Sequence, residues 1–309
     1  MAVPSRTEED SIGDLVLVTG GAGTLGRALA QPLLERGYRV RAVDVRPIEG
    51  LPPGVETAVV DLRDGGAVEG AMGGVGAVIH GAAWHGIHLR DHPARDFWEL
   101  NADGTFNVYE AALAAGARAV ILCSTMGVYG ESRRPEPDGP AVRIREDLPL
   151  RPGDVYGASK VVAEELSAYY ARRGIAGACL RFGMFVPEPF LQAGIRFLYG
   201  GVDERDVAGS VVCALEQALD RGGHLGAFNV ESALPFDETD GRALREDPLA
   251  AIARHWPDAP ALLAGAGVEP WGPINEVYDI ARAREGLGWE PRHGFASFLD
   301  ALRQGRSSL

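Results

Sequence analysis

Cysteine is scarce in this chain. Its three thiols in 309 residues, Cys123, Cys179 and Cys213, each sit in an apolar stretch without CxxC spacing. They imply neither a disulfide framework nor a thiolate metal site, and a reducing, cytoplasmic setting fits. Basic side chains are outnumbered: 30 Lys and Arg against 43 Asp and Glu leave a formal charge of -13. Such a field repels polyanions and argues against nucleic acid as a partner of the protein body. Long apolar runs are missing as well, because arginines and glycines interrupt every candidate short of the roughly 20 residues that span a bilayer. No membrane segment is expected. The opening MAVPSRTEEDSIG has no apolar core and reads as a loose tail over 1–13 rather than a signal peptide.

What the chain does have is a 46% hydrophobic content, enough to bury a full core. Short β-branched runs begin at Leu15, Arg39, Glu56, Gly76 and Ala117, and AGACLRF ends at Phe182. Helical patterns over 24–36, 65–72, 94–115 and 155–173 alternate with them. This rhythm predicts an α/β fold, a doubly wound parallel Rossmann-type sheet over 14–182. A helix and the strand AFNV within 204–230 are expected to return to that sheet. The remainder, 183–203 and 231–309, is assigned to a small C-terminal substrate-binding lobe. Ligands of such sheets collect at the carboxyl ends of the strands. The stretch Glu131 to Pro152 is too polar and Pro-rich for core and is expected to flank or cover that edge.

Directly after the first strand, Gly20-Gly21-Ala22-Gly23-Thr24-Leu25-Gly26 opens a helix. Glycines at 20, 23 and 26 permit a tight turn, close approach of backbone to a pyrophosphate and close packing of helix on strand. The helix N-terminus adds unpaired N–H groups and a positive dipole. An acidic residue at the end of the second strand, Asp44, is placed to accept from the adenosine ribose hydroxyls and would repel a 2′-phosphate, so NAD is favoured over NADP. Arg46 has two readings, a solvated loop cation or a partner for a 2′-phosphate. Asp61, ahead of Leu62, has two as well: a contact to adenine or a helix N-cap.

Tyr156-Gly-Ala-Ser-Lys160 places a phenol and an ammonium four residues apart, on one helix face. A phenol ionises near pH 10, and a neighbouring ammonium together with an oxidised nicotinamide favours its anion, which creates a general base. Ser124 and Thr125 end the fifth strand on the edge that faces a nicotinamide pocket, where a hydroxyl can hold a substrate oxygen.

TGGAGTLG, Asp61-Leu62, HGAA, Asn101 in NADGT, STMGVYG, YGASK and the closing LGWEP occur in order over nearly the whole chain. Together they resemble the extended short-chain dehydrogenases/reductases, the NAD-dependent epimerase/dehydratase family. The resemblance implies Tyr156 as base, Thr125 with Ser124 orienting the reacting hydroxyl, and Lys160 tuning the phenol and holding the nicotinamide ribose. It also implies Gly81, Ala82 and Ala83 along the cofactor channel, a helix-shaping or cofactor-side role for Asn101, and a homodimer through the helix of Tyr156 and the long helix before the fifth strand. Met126 and Gly127 stand where the family's 4,6-dehydratases carry an Asp-Glu pair, so dehydration by that route is not expected. Arg181-Phe-Gly-Met184 stands where nucleotide-sugar enzymes usually carry an asparagine. RFGMFVPEP followed by Arg196 is similar to the uronate dehydrogenases, which implies Arg196 as a carboxylate ligand, its other reading being a solvated loop residue; Trp84 and Met184 are read as apolar walls. Their Ser-Asn-His after the fifth strand is absent, and 235–274 departs from them.

Trp84-His85-Gly-Ile-His88-Leu-Arg-Asp-His92 follows the fourth strand. Its histidines lack metal-motif spacing and cysteine partners, so no metal is expected; His85 is the residue here expected to donate to a substrate hydroxyl. The leading expectation is an epimerase of a sugar or nucleotide sugar working by transient oxidation of a secondary hydroxyl. A dehydrogenase of a free sugar or sugar acid is the alternative, and a non-catalytic NAD-binding regulator is the reading of another class.

Overall fold

Strands form where β-branched runs can be covered on both faces. In the computed structural model, which describes residues 14–308, the chain runs β1 (Leu15–Thr19), α1 (Thr24–Glu35), β2 (Arg39–Asp44), β3 (Glu56–Val59), α2 (Gly65–Ala71), β4 (Val75–His80), α3 (Ala94–Trp98), α4 (Gly104–Ala114), β5 (Ala119–Thr125), β6 (Val142–Ile144), α5 (Val155–Ala171) and β7 (Ala176–Phe182). It continues through α6 (Phe190–Arg196), α7 (Glu204–Arg221), β8 (His224–Val230), α8 (Gly241–Glu246), α9 (Pro248–His255), α10 (Ala259–Ala266), β9 (Glu276–Tyr278), α11 (Ala281–Leu287) and α12 (Phe295–Arg303). The expected tail at 1–13 lies outside the described residues.

Seven strands form one sheet in the order β3-β2-β1-β4-β5-β7-β8. Pairing is parallel from β3 through β5, with Val16 beside Val40 and Ile79 beside Ile121. Every residue of β1, β4 and β5 is buried, as central parallel strands require. The order reverses at β1 and β4, which puts the switch point of the doubly wound sheet at their carboxyl ends.

The chain divides into two compact units. The first comprises 14–125, 154–180 and 208–227 and buries Leu17, Val78, Val108, Tyr109, Val120 and Tyr170 together. Tyr109 and Tyr170 stack with ring centroids 4.9 Å apart. In α7 the buried Ala208, Val211, Val212, Leu215 and Ala218 follow the helical period. The second comprises 126–153, 181–207 and 228–308. Its core gathers Ile195, Phe236, Ile252, Leu263, Phe295 and Phe298, and β6 pairs with β9 in parallel.

Three elements differ from the sequence reading. The helix expected over 94–115 is broken into α3, a π-turn at Glu99–Asp103 and α4, because side-chain bonds of Asn101 described below favour the wider turn. The strand expected at AFNV starts at His224, an exposed residue followed by three half-buried ones that hide the pattern. The Pro-rich stretch 131–152 contains β6 and belongs to the second unit, so 14–182 is not one continuous body.

Candidate active site

The glycine turn is shaped by close approaches. Gly20 has φ +76°, and a Cβ there would lie 2.9 Å from the Ala82 nitrogen; at Gly26 it would lie 2.5 Å from the Gly20 carbonyl. Any larger side chain would drive α1 off the turn. No side chain caps α1, which starts after Gly23, so the N–H groups of Thr24, Leu25 and Gly26 lie in the first turn that an anion can address. Asp44 is fixed beside this turn: one carboxylate oxygen accepts from the Ala22 N–H and the other from the Arg46 N–H, each at 3.1 Å. The Arg46 side chain is 70% exposed. Asp61 is gripped by the Arg63 fork, Nε donating to Oδ1 at 2.9 Å and Nη2 to Oδ2 at 2.5 Å, which holds its carboxyl below the usual range. The N-cap of α2 is Asp64 and not Asp61. Leu62 is buried against Gly104.

A buried relay joins β1 to the π-turn. The N–H groups of Gly81 and Ala82 both donate to Thr19 Oγ1 at 3.1 Å, which leaves the Thr19 proton for His80 Nδ1 at 2.8 Å. Thr105 Oγ1 donates to the Asn101 carbonyl at 2.6 Å and so accepts from His80 Nε2 at 2.8 Å. These bonds assign the Nε2–H tautomer. Burial, aided by the Lys160 charge, lowers His80 to about 3, so the ring is neutral. Asn101 completes the relay: its Oδ1 accepts from Trp84 N–H at 2.8 Å, and its Nδ2 donates to the Trp84 carbonyl at 2.9 Å and Ser159 Oγ at 3.0 Å. Asn101 thus ties the loop after β4 to α5. Ala83 lies between these two anchored segments.

Asp154 caps α5 by accepting from Gly157 N–H at 2.8 Å, and this sets Tyr156 in the first turn with Lys160 one turn on. Burial pushes Tyr156 up to about 12, against a hydrogen bond from Thr125 that favours the phenolate. Lys160 is 3% exposed and donates from Nζ to the Cys123 carbonyl at 2.8 Å. Burial pulls it down to about 8, while Glu164 acts the other way. Thr125 therefore meets the Tyr156 phenol, and Lys160 is held on the same strand two residues earlier, at Cys123. Ser124 is turned elsewhere: its Oγ donates to the buried Glu164 at 2.6 Å.

His85 lies over Tyr156, ring centroids 6.0 Å apart at 65°. Part of its surface faces solvent, yet burial by the loop and the Lys160 and His88 charges lower it to about 4. The ring is a neutral donor or acceptor. Trp84 stacks on His92 at 3.9 Å, and among the described residues no group of His, Cys, Asp or Glu is arranged to hold a metal. Met184 and Arg196 belong to the second unit. Met184 bridges to Gly201. Arg196 donates to both Glu188 oxygens, at 3.1 and 2.7 Å, and lies 4.3 Å from the centroid of the Trp271 ring. A substrate carboxylate would have to compete with Glu188 for it.

Sequence reasoning passed over Glu164, Asp154 and His80. The first two were findable: Glu164 extends the Tyr156–Lys160 face by another four residues, and Asp154 is an N-cap residue one position before the helix.

The profile of the NAD dependent epimerase/dehydratase family matches residues 16–188. A uronate dehydrogenase of Pseudomonas putida is 33% identical over 176 residues, 56% of this chain and 62% of that enzyme. A UDP-glucose 4-epimerase of Corynebacterium glutamicum is 32% identical over 173 residues, 54% of this chain and 50% of that enzyme. The matches thus span less than two thirds of either relative. A solved short-chain dehydrogenase/reductase superfamily protein from Agrobacterium tumefaciens with bound NAD superposes with a TM-score of 0.68 at 25% identity, covering 94% of this chain and 97% of that one.

Proposed function

Because the chain belongs to the NAD dependent epimerase/dehydratase family, we propose that it oxidises a secondary hydroxyl of a sugar or nucleotide sugar and acts as an epimerase. The observation that carries this reading is the assembly of Tyr156, Thr125 and Lys160, with Thr125 bonded to the phenol and Lys160 anchored to β5. The cofactor is NAD, and the residues fit it: Gly20 to Gly26 form a turn with no room for side chains, and Asp44 is held at the end of β2 for ribose hydroxyls. Gly81 to Ala83, Leu62 and Asp61 border the same strand ends, and Arg46 remains a solvated cation. Bound NAD supplies a two-electron acceptor for the carbinol carbon and a positive charge beside the phenol.

Thr125 orients the substrate hydroxyl, and Tyr156 takes its proton. At about 8, Lys160 is largely protonated at neutral pH and steadies the phenolate. His85 offers a neutral ring to a second hydroxyl. Ser124 acts through Glu164 as a positioning residue, and Asn101 holds the His85 loop. A dehydrogenase outcome, in which the oxidised sugar leaves, is the second reading, favoured by the similarity to uronate dehydrogenase; Arg196 and Met184 would then serve the substrate's far end. Exposed Trp98, Phe106 and Tyr169 on α3, α4 and α5 support a homodimer through these helices, and three free cysteines suit the cytoplasm.

The test is to denature freshly purified protein and identify the released nucleotide. Near-stoichiometric NAD or NADH is expected for an epimerase; an empty protein that binds added NAD would favour the dehydrogenase, and NADP would refute the role given to Asp44.

A further inference from the structure

Lys160 is the sole lysine of the chain; arginine fills every other of its 30 Lys and Arg positions. That one ammonium is buried in the first unit, 3% exposed, with Nζ on the Cys123 carbonyl at 2.8 Å. A buried cation persists only where an opposite charge or strong acceptors accompany it.

Among the described residues, several titratable groups surround it. His80 at the end of β4 and His85 in the loop beyond both feel the Lys160 charge, and burial lowers them to about 3 and about 4, so both rings are neutral. Cys123 on β5 is pushed up to about 12 by burial and stays a thiol; Cys179 on β7 is a buried free cysteine. Asp154 caps α5 and acts on Tyr156. On the helices packed against α5, Asp96 is paired with His92, Arg95 with Glu99 and Glu110 with Arg173, and Asp103 of the π-turn is exposed.

Glu164 stands apart from these. It follows Lys160 by one helical turn, a spacing that sets Cβ atoms about 5–6 Å apart on one face, and it is 8% exposed. Its Oε1 accepts from Ser124 Oγ at 2.6 Å, a length typical of a hydroxyl bonded to an ionised carboxylate. Ser124 follows Cys123 on β5, so consecutive strand residues hold consecutive turns of α5: the Cys123 carbonyl takes the ammonium, and the Ser124 hydroxyl takes the carboxylate. Burial is the strongest influence against the ammonium; Cys123, Glu164 and Cys179 act to favour it, and of these Glu164 alone is a carboxyl.

We propose that Glu164 is the buried counter-charge of Lys160, a positioning residue that Ser124 fixes one turn away and that keeps the ammonium protonated for its work on the Tyr156 phenol. This rests on the reading of Tyr156 and Lys160 as the catalytic pair, and it gives the Ser124 hydroxyl a task other than holding substrate.

The experiment reads Lys160 directly. In the full chain grown on lysine enriched in carbon-13 at Cε, the sole lysine gives one resonance, which moves as the amine titrates. Glu164→Gln keeps an acceptor for Ser124 without the charge, and Glu164→Leu keeps neither. Each is expected to lower the midpoint by at least about half a pH unit, because the anion that favoured the ammonium is gone. Glu164→Asp retains the charge and is expected to stay closer to the wild-type midpoint than to that of Glu164→Gln. A smaller or upward shift in a folded charge-free variant, or an Asp variant shifted as far as the Gln variant, overturns the proposal. Thermal melting shows which variants fold. If neither charge-free variant folds, the double change Lys160→Met with Glu164→Leu, which removes the whole pair, is expected to fold, and its failure to do so also overturns the proposal. Because the midpoint is read without substrate, it judges Glu164 alone; turnover surviving Tyr156→Phe would defeat the catalytic reading and leave the pairing of Glu164 with Lys160 standing.

Discussion

At Lys160 burial opposes the role proposed for it. Held at about 8 instead of 10.5, it is deprotonated in the folded chain while still protonated in the unfolded one across that window. Unfolded protein then binds the extra proton, so stability rises with pH from about 8 to 10.5; below that range the buried charge costs about 3 kcal/mol. Lys160→Met is expected to lower kcat by more than ~100-fold and yet raise the melting temperature at pH 7, with the advantage gone above pH 10.5. A melting series across pH measures this. Ser124 and Thr125 should separate in the same way. Thr125→Val removes the hydroxyl bonded to the phenol and should cost ~100-fold or more in kcat. Ser124→Ala leaves Glu164 short of a buried donor and should cost ~1–3 kcal/mol of stability with a smaller kinetic effect. Denaturation curves beside steady-state kinetics distinguish the two.

The π-turn is the element on which the site depends. The Asn101 side chain bonds to the loop after β4 and to α5, so Asn101→Ala should free the Trp84–His92 loop without disturbing the glycine turn. Hydrogen exchange at the Trp84 amide is expected to quicken by ~10-fold or more, with NAD affinity little changed. An unaltered exchange rate would show that the loop is held by other contacts. The glycine turn behaves oppositely. Gly26→Val would force α1 from Gly20, and NAD binding, followed by calorimetry, should be lost.

For the whole molecule, the exposed aromatics of α3, α4 and α5 predict that wild-type protein has a dimer mass in light scattering and that Phe106→Glu is monomeric; a monomeric wild type would contradict the proposed interface. The sheet and the phosphate turn were legible in the sequence because both rest on local rules: apolar runs long enough for one strand, glycines where φ or close packing demands them, and a four-residue helical spacing that puts Tyr156 and Lys160 on one face. Local rules could not divert Ser124 to Glu164, 40 residues away, break the helix at Asn101 or turn Arg196 to Glu188. Each of these depends on which partner the folded chain brings within 3 Å. The same holds for Glu231, an unremarkable acidic residue after a strand until tertiary packing buries it without a partner beside Arg133. Sequence by itself determined the fold, the glycine turn after β1 and the placing of Tyr156 and Lys160 on one helix face, whose signals are periodic or contiguous; the tertiary structure alone decided which polar groups are satisfied internally and which are left without a partner.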